Sequence, residues 1–357
     1  MNFWQKLPKP IMVVAPMADV TDAAFRQMIA KESAHERKDG TIGGPDVMWT
    51  EFVAADGLMR ATPEGKKKLM ADLLYVETER PIVAQLFTSN PEHMESVAKL
   101  VRDLGFDGID INMGCPDRSI EKQGCGSAMI KTPAVAKEII RAAKRGGKGL
   151  PVSVKTRVGY SHDELEDWLP ALLEEEPAVV TIHARTRKGM SKTPADWGRV
   201  KRAVEIRNAL HAPTFIFGNG DVLSLQDGHQ KAELSGADGV MVGRALFGNP
   251  WFFHPTKRLP VHLTALPTKG VNPDTLHVSA TVDPGISYVT LEERLRVLVE
   301  HTYLFENLLP HKNFAVMKKH YKAYVNSFPG AAELRVELME QNTATAVEAV
   351  ITKWLVK

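Results

Sequence analysis

GIDINMGC, residues 108–115, is a short apolar run whose chemically capable residues, Asn112 and Cys115, come last, just before Pro116. Seven other runs share that design: IMVVAPMA (11–18), VMWTEF (47–52), PIVAQLF (81–87), VSVKTRVG (152–159), VVTIHART (179–186), TFIFGNGD (214–221) and GVMVGRAL (239–246). Continuous apolar strands separated by amphipathic stretches indicate a parallel sheet covered on its outer face. Eight of them within about 240 residues is the count and length of a (β/α)8 barrel, and a doubly wound open sheet is the alternative. The run ends decide between the two. They carry Met17, Glu51, Gln85, Asn112 with Cys115, Lys155 with Arg157, His183 with Arg185, Asn219 with Asp221, and Gly243 with Arg244. A barrel gathers all eight ends around one mouth, where its active sites lie, whereas an open sheet strings them along a line.

The helices between the runs carry their own signals. In TPAVAKEIIRAAKRGG, Thr132 suits an N-cap, Pro133 the first turn and Gly146 the stop, with Val135, Ile139 and Ala142 as the apolar stripe. In NPEHMESVAKLVRDLG, Asn90 and Pro91 open a helix and Gly105 ends it. Beyond Phe253 the pattern breaks into a proline-rich stretch. From Thr290, which with Glu293 forms a capping box, the chain is helical again. The expected organisation is a barrel over 1–254, a linker or insertion over 255–289, and a small all-helical domain over 290–357, with a second loop at 39–45.

The chain has 357 residues, 44% hydrophobic and 25% charged, with a formal charge of +2, so an anionic partner must be met by a local patch. It has two cysteines, no secretory h-region at its start and no apolar run of membrane-spanning length, which suggests a reducing, cytoplasmic setting. Metal-ligand spacing, a P-loop and a nucleophile elbow are all missing from the sequence, so no metal is expected.

GNGD (218–221) and GRALFGNPW (243–251) follow the seventh and eighth strands, where barrels bind phosphate. Gly220 and Gly243 would let an anion approach backbone N–H groups, and Arg244 would add charge. Gly218 and Gly220 as plain turn residues, with Arg244 a solvated charge, are the alternative. Pro16 and Met17 suggest either a bend exposing backbone to a flat heterocycle or a simple strand stop. Gln85 offers an amide suited to a heterocycle edge. Lys155 and Arg157 share a strand face, so they must reach the mouth or find carboxylates. His183 is equally consistent with a structural and a catalytic group. Cys125 sits among small residues as a filler, whereas Pro116 keeps Cys115 out of a helix and at the mouth. Between Asn307 and Ala332 there is no acidic residue. Lys312, Lys318, Lys319, Lys322, His311 and His320 alternate there with Phe314, Tyr321 and Tyr324, which suits RNA phosphates and bases; a solvated helix face is the alternative. Arg187, Lys188 and Lys192 add a basic loop after strand six.

The ordered series APMADVTDAAFR, EFVAADGLM, QLFTSNPEHM, INMGCP, QGCGSAMI, VKTRVGY, IHARTR, GNGDV, GADGVMVGRALFGNPWFF and VMKKHYKAYVNSFPGAAELR resembles the tRNA-dihydrouridine synthases, FMN-dependent enzymes that reduce selected uridines in tRNA. The resemblance covers nearly the whole chain apart from the two loops. It implies that Pro16, Met17, Gln85, Lys155, His183, Asn219, Gly220, Asp221, Gly243 and Arg244 hold FMN, that Cys115 gives a proton to C5 of uracil while reduced FMN gives a hydride to C6, and that NADPH is the reductant. Asn112 would hold the uracil, with Arg157, Arg185, Lys192, Lys318, Lys319 and His320 toward the tRNA. A monomer is expected. Asp19, Thr88 and Cys125 depart from the family pattern, which more often has glycine, glycine and a small residue there. A small-molecule flavoenzyme and a non-catalytic RNA-binding protein are the competing readings. The basic helical stretch counts against the first, and the joint presence of Cys115, Lys155 and Arg244 against the second.

Overall fold

The computed structural model describes residues 2–260 and 285–356. Eight parallel strands follow the eight apolar runs: β1 (Ile11–Val14), β2 (Met48–Ala54), β3 (Ile82–Phe87), β4 (Gly108–Met113), β5 (Val152–Arg157), β6 (Val179–His183), β7 (Phe215–Asn219) and β8 (Gly239–Val242). Each pairs with its neighbour in sequence, and β8 returns to β1. A parallel bridge from Val13 to Val47, with the Val14 N–H donating to the Val47 carbonyl at 3.1 Å, closes the ring between β1 and β2. The fold is a TIM-type barrel followed by C-terminal helices, and the convergence of polar strand ends chose correctly between barrel and open sheet.

Helices α1 (Ala23–Glu32), α2 (Ala55–Arg60), α3 (Pro63–Ala71), α4 (Pro91–Asp103), α5 (Pro133–Gly147), α6 (Leu165–Leu173), α7 (Trp197–Ala209) and α8 (Leu225–Ser235) lie between the strands in chain order. Asn90 caps α4 by accepting from the N–H groups of Glu92 (2.9 Å) and His93 (3.2 Å). The signals proposed for α5 work differently. The Thr132 side chain makes no capping bond, and Lys148, at φ +40°, takes the left-handed position that ends the helix. Gly146 is there for packing, because a Cβ on it would lie 2.0 Å from the Glu95 carbonyl oxygen of α4.

The N-terminal end of the barrel is closed by apolar rings. A turn of 3-10 helix, Phe3–Lys6, carries Trp4 into a cluster with Val13, Val47, Trp49, Val83, Val179, Phe217 and Met241. The Trp4 ring lies 5.7 Å from Trp49 and 5.5 Å, edge-on, from Phe217. Inward residues at this level come from many strands, which is how a barrel interior fills.

By packing, the chain forms two compact units, Met1–Gln27 with Pro45–Ala245, and Met28–Gly44 with Leu246–Lys357. The second is thus wider than the helical stretch 290–357. It contains α9 (Leu291–Leu308), α10 (Met317–Tyr324), α11 (Ala331–Met339) and α12 (Ala344–Leu355). Thr290 caps α9 through the Glu293 N–H at 3.1 Å, but the Glu293 side chain pairs with Lys257, so the reciprocal half of the capping box is replaced. The loop at 39–45 lies at a small hairpin pairing His35–Glu36 with Ile42–Gly43. The described ends of the 255–289 segment form a parallel pair, Lys257–Arg258 with Ser287–Tyr288; the rest of it, 261–284, lies outside the described residues.

Candidate active site

Strand register sets the site in rows. Gln85, Asp110 and Ser153 are paired across β3, β4 and β5, and one step nearer the mouth Asn112 pairs with Lys155. Higher still, Arg157, His183 and Asn219 run across β5 to β7. Alternation turns these side chains to the inner face. They satisfy one another. Gln85, fully buried, donates from Nε2 to Asp110 Oδ2 at 2.6 Å and accepts at Oε1 from Asn112 Nδ2 at 3.0 Å. Asn112 Oδ1 accepts the N–H groups of Gly114 (3.1 Å) and Cys115 (2.9 Å). Burial lifts the Asp110 carboxyl to about 6, opposed by its bonds from Gln85 and Ser153 and by the charge of Lys155.

The two cations of β5 meet their burial differently. Arg157 is buried, and it donates to the backbone carbonyls of Gly114 (2.7 Å) and Thr186 (3.3 Å). Carbonyl dipoles thus do for this guanidinium what a carboxylate was expected to do. Lys155 is half-buried, and its ammonium is pulled down to about 8 by desolvation and then by Arg157, against the opposing pull of Asp110 and Cys115. His183 is held well below its ordinary value by burial and then by Lys155 and the arginines around it. Its Nε2 lies 3.2 Å from Arg185 Nη1. Arginine only donates, so Nε2 accepts and the proton of the neutral ring sits on Nδ1.

Arg185 was expected toward substrate. It is buried, bonded to the Thr193 carbonyl (2.6 Å) and paired with Asp221, so it braces the loop after β6. Asp221 also pairs with Arg244 and accepts the Ala195 N–H at 2.8 Å, and these partners keep its carboxyl low despite burial. Arg244 remains half exposed, at 54% of its side chain, against 3% for Arg185. Gly220 has φ +127°, and a Cβ there would lie 2.8 Å from that of Ala195. Asp221 follows at φ +51°. A Cβ on Gly243 would come within 3.3 Å of the Met17 sulfur. Bare backbone at Gly220 and Gly243 beside an exposed guanidinium is a donor set that fits a phosphate. Asn219 is turned the other way, with Nδ2 on the Met241 carbonyl at 2.7 Å. Met17 closes its own turn. Its N–H donates to Thr21 Oγ1 (2.8 Å), and its carbonyl accepts from Val20 (3.1 Å) and Thr21 (3.0 Å).

The two thiols differ in environment. Cys115 follows β4, is half-buried, and has its own carbonyl fixed by the Ser127 N–H at 3.0 Å and hydroxyl at 2.9 Å. Desolvation raises its pKa, partly offset by a backbone N–H at Asp117 and by Arg157 and Lys155. Cys125 is fully buried with Phe87 and Ile120, and desolvation carries it to about 11.

A family model described as Dihydrouridine synthase (Dus) matches residues 13–355. The chain is 36% identical over 351 residues to a probable tRNA-dihydrouridine synthase 2 of Bacillus subtilis, covering 98% of this chain and 95% of that protein. It is equally similar, at 36% and 98%, to a probable tRNA-dihydrouridine synthase of Staphylococcus aureus, 93% of which is covered. This chain belongs to the dihydrouridine synthase family. Among solved structures, the old yellow enzyme homologue from Zymomonas mobilis is similar over 70% of this chain and 89% of that one, at 13% identity and a TM-score of 0.46.

In this dihydrouridine synthase chain, one departure from the expected pattern has a visible physical basis. Asp19 adopts φ +52°, the region glycine favours, and its N–H is held by the Glu51 carboxylate. On the helical side, Lys318 and Lys319 are half-buried. His320 is not on the surface: it is fully buried, 4.7 Å from the His301 ring, and burial keeps it neutral. Tyr321 and Tyr324 are also buried, which removes them as platforms for bases. Lys192 is exposed on the loop after β6, while Arg187 of that loop pairs with Glu121. Sequence reading passed over Asp110 and Ser153. The alternation Asp110-Ile111-Asn112 already put the two polar residues on one face, whereas Ser153 needed the register of β5.

Proposed function

We propose that this dihydrouridine synthase reduces the C5–C6 double bond of specific uridines in tRNA, with FMN as its resident cofactor and NADPH as the reductant. The observation that carries this reading is Cys115, a half-buried thiol just after β4, whose pKa burial raises, on the same rim as Lys155, Gly220 and Arg244. FMN, when bound, supplies the hydride that C6 receives.

Gly220, Gly243 and Arg244 would hold its phosphate, with Asp221 and Arg185 setting the Arg244 side of that cradle. Pro16, Met17, Gln85, Lys155, His183 and Asn219 would line the remainder. Gln85 and Asn112 each retain one N–H beyond the bonds described, since a primary amide has two. Asn112 would offer its own to a uracil carbonyl. Cys115 gives its proton to C5, and the S–H bond breaks. The thiolate left behind lies in the fields of Lys155 and Arg157, which oppose the cost of its burial. Lys192, Lys318 and Lys319 would meet tRNA phosphates, and the target base must leave its stack to reach the rim.

The purified protein should be yellow and should form dihydrouridine in unmodified tRNA with NADPH. Protein that stays colourless after FMN is added would overturn the reading. Lys318→Glu with Lys319→Glu should weaken tRNA binding on the order of tenfold or more, while NADPH-driven flavin reduction is unchanged.

A further inference from the structure

Five hydrogen bonds run unbroken from β5 to the loop of Cys115. Ser153 Oγ donates to Asp110 Oδ1 at 2.5 Å, Gln85 Nε2 to Asp110 Oδ2 at 2.6 Å, and Asn112 Nδ2 to Gln85 Oε1 at 3.0 Å. The N–H groups of Gly114 and Cys115 then donate to Asn112 Oδ1 at 3.1 and 2.9 Å. The ends of the chain are one-way: an ionised carboxylate only accepts, and a backbone N–H only donates. The two amides between them could each be turned over, but only one orientation satisfies every group. Asp110, Gln85 and Ser153 are at most 2% exposed, so water does not repair a wrong choice.

We propose that Asp110 is a positioning residue for the reaction: the side-chain oxygen that accepts from Gln85 fixes the direction of the Gln85 and Asn112 amides, and through them anchors the backbone of Gly114 and Cys115 so that the thiol is presented at the rim. This rests on the reading of Cys115 as the proton donor. Burial raises the Asp110 carboxyl to about 6, opposed by its bonds from Gln85 and Ser153 and by the charge of Lys155. The geometry marks it as the acceptor of the chain: one oxygen takes the Gln85 amide at 2.6 Å and the other the Ser153 hydroxyl at 2.5 Å. Arg157, on the Gly114 carbonyl at 2.7 Å, holds the same turn from the next strand, so the loop before Cys115 is tied on both its N–H and its C=O sides.

The direction of the chain can be tested by reversing its donors and acceptors. Asp110→Asn can keep the direction, with Oδ1 toward Gln85 and the amide toward Ser153, whose hydroxyl has the Ile109 carbonyl at 3.3 Å as another acceptor. Gln85→Glu sets two carboxylates against each other. The double variant restores a donor–acceptor match, because the new amide at position 110 can donate to the new carboxylate at position 85, which still accepts from Asn112.

The readout is amide hydrogen exchange at Gly114 and Cys115 in the FMN-free and tRNA-free protein, with Val180 and Ile216 as controls in β6 and β7. A second readout is iodoacetamide labelling of Cys115 in a Cys125→Ala background. Asp110→Asn should stay within about threefold of the parent. Gln85→Glu should exchange at Gly114 and Cys115 on the order of tenfold faster or more, and the double variant should return to within about threefold. A merely structural role predicts that the two changes add their damage instead of cancelling. If Gln85→Glu does not fold, recovery of folded, protected protein in the double variant gives the same answer. A double variant no better than Gln85→Glu, or a Gln85→Glu protein with parental protection, overturns the proposal. Full turnover by Cys115→Ala would instead overturn the proton-donor reading and leave the exchange results standing.

Discussion

The two ends of the barrel are built from the same eight strands and solve opposite problems. At the N-terminal end Trp4, Trp49 and Phe217 fill the bore with rings 5.5–5.7 Å from Trp4, and packing alone suffices. At the C-terminal end the bore carries Asp110, Lys155, Arg157, His183 and Arg185, each of which must find a partner or shift its titration. Burying so many polar groups is tolerable because they answer one another: amide to carboxylate, guanidinium to carbonyl, carboxylate to paired arginines. What remains available is a short set, chiefly Cys115, Lys155 and Arg244. A structural end can be filled by any well-packed shape, whereas a chemical end requires a directed arrangement.

That contrast can be broken at either end. The largest effect is expected from Cys115→Ala, which should lower turnover on unmodified tRNA by about 10²–10⁴-fold while thermal unfolding hardly moves. Near-parental turnover would remove the chemistry from this rim. Trp4→Ala should cost about 3–5 kcal/mol in a urea titration, and an unchanged midpoint would mean that the ring at the other end is ornamental. The smallest effect is expected from Cys125→Ala, with turnover within about twofold, because a fully buried cysteine behaves as a small apolar filler. That variant sharpens the comparison further by leaving one thiol. The folded environment raises the Cys115 pKa, and the thiolate is the form that is alkylated, so labelling should be slow at neutral pH and still climbing beyond pH 9.0, the ordinary value. A plateau already reached near neutral pH would contradict the protonated-acid reading.

Much of this was readable from runs of residues. Eight apolar stretches became eight strands because burial on both faces selects continuous apolar character. Asn90 named a helix start because its side chain reaches N–H groups only two and three residues away. Local chemistry of that kind is written locally. What the structure adds to the sequence reading has a common cause as well. Gly146 was read as a stop and is a contact with Glu95 on another helix. His320 was read as part of a basic surface and lies in a core beside His301. Arg157 and Arg185 were read as groups for substrate and are held by Gly114, Thr186, Thr193 and Asp221.

The sequence by itself determined the barrel, the end of it that gathers its polar residues, the family, and which thiol follows a strand instead of filling a turn. These follow from periodicity, strand-end composition and motif order, all of which are properties of neighbouring residues. Only the tertiary structure decided which polar groups are free to act. That depends on register across β3, β4 and β5, where residues 25 and 43 positions apart, Gln85 with Asp110 and Asp110 with Ser153, meet at hydrogen-bonding distance, and a hydrogen bond has a direction that no linear pattern records.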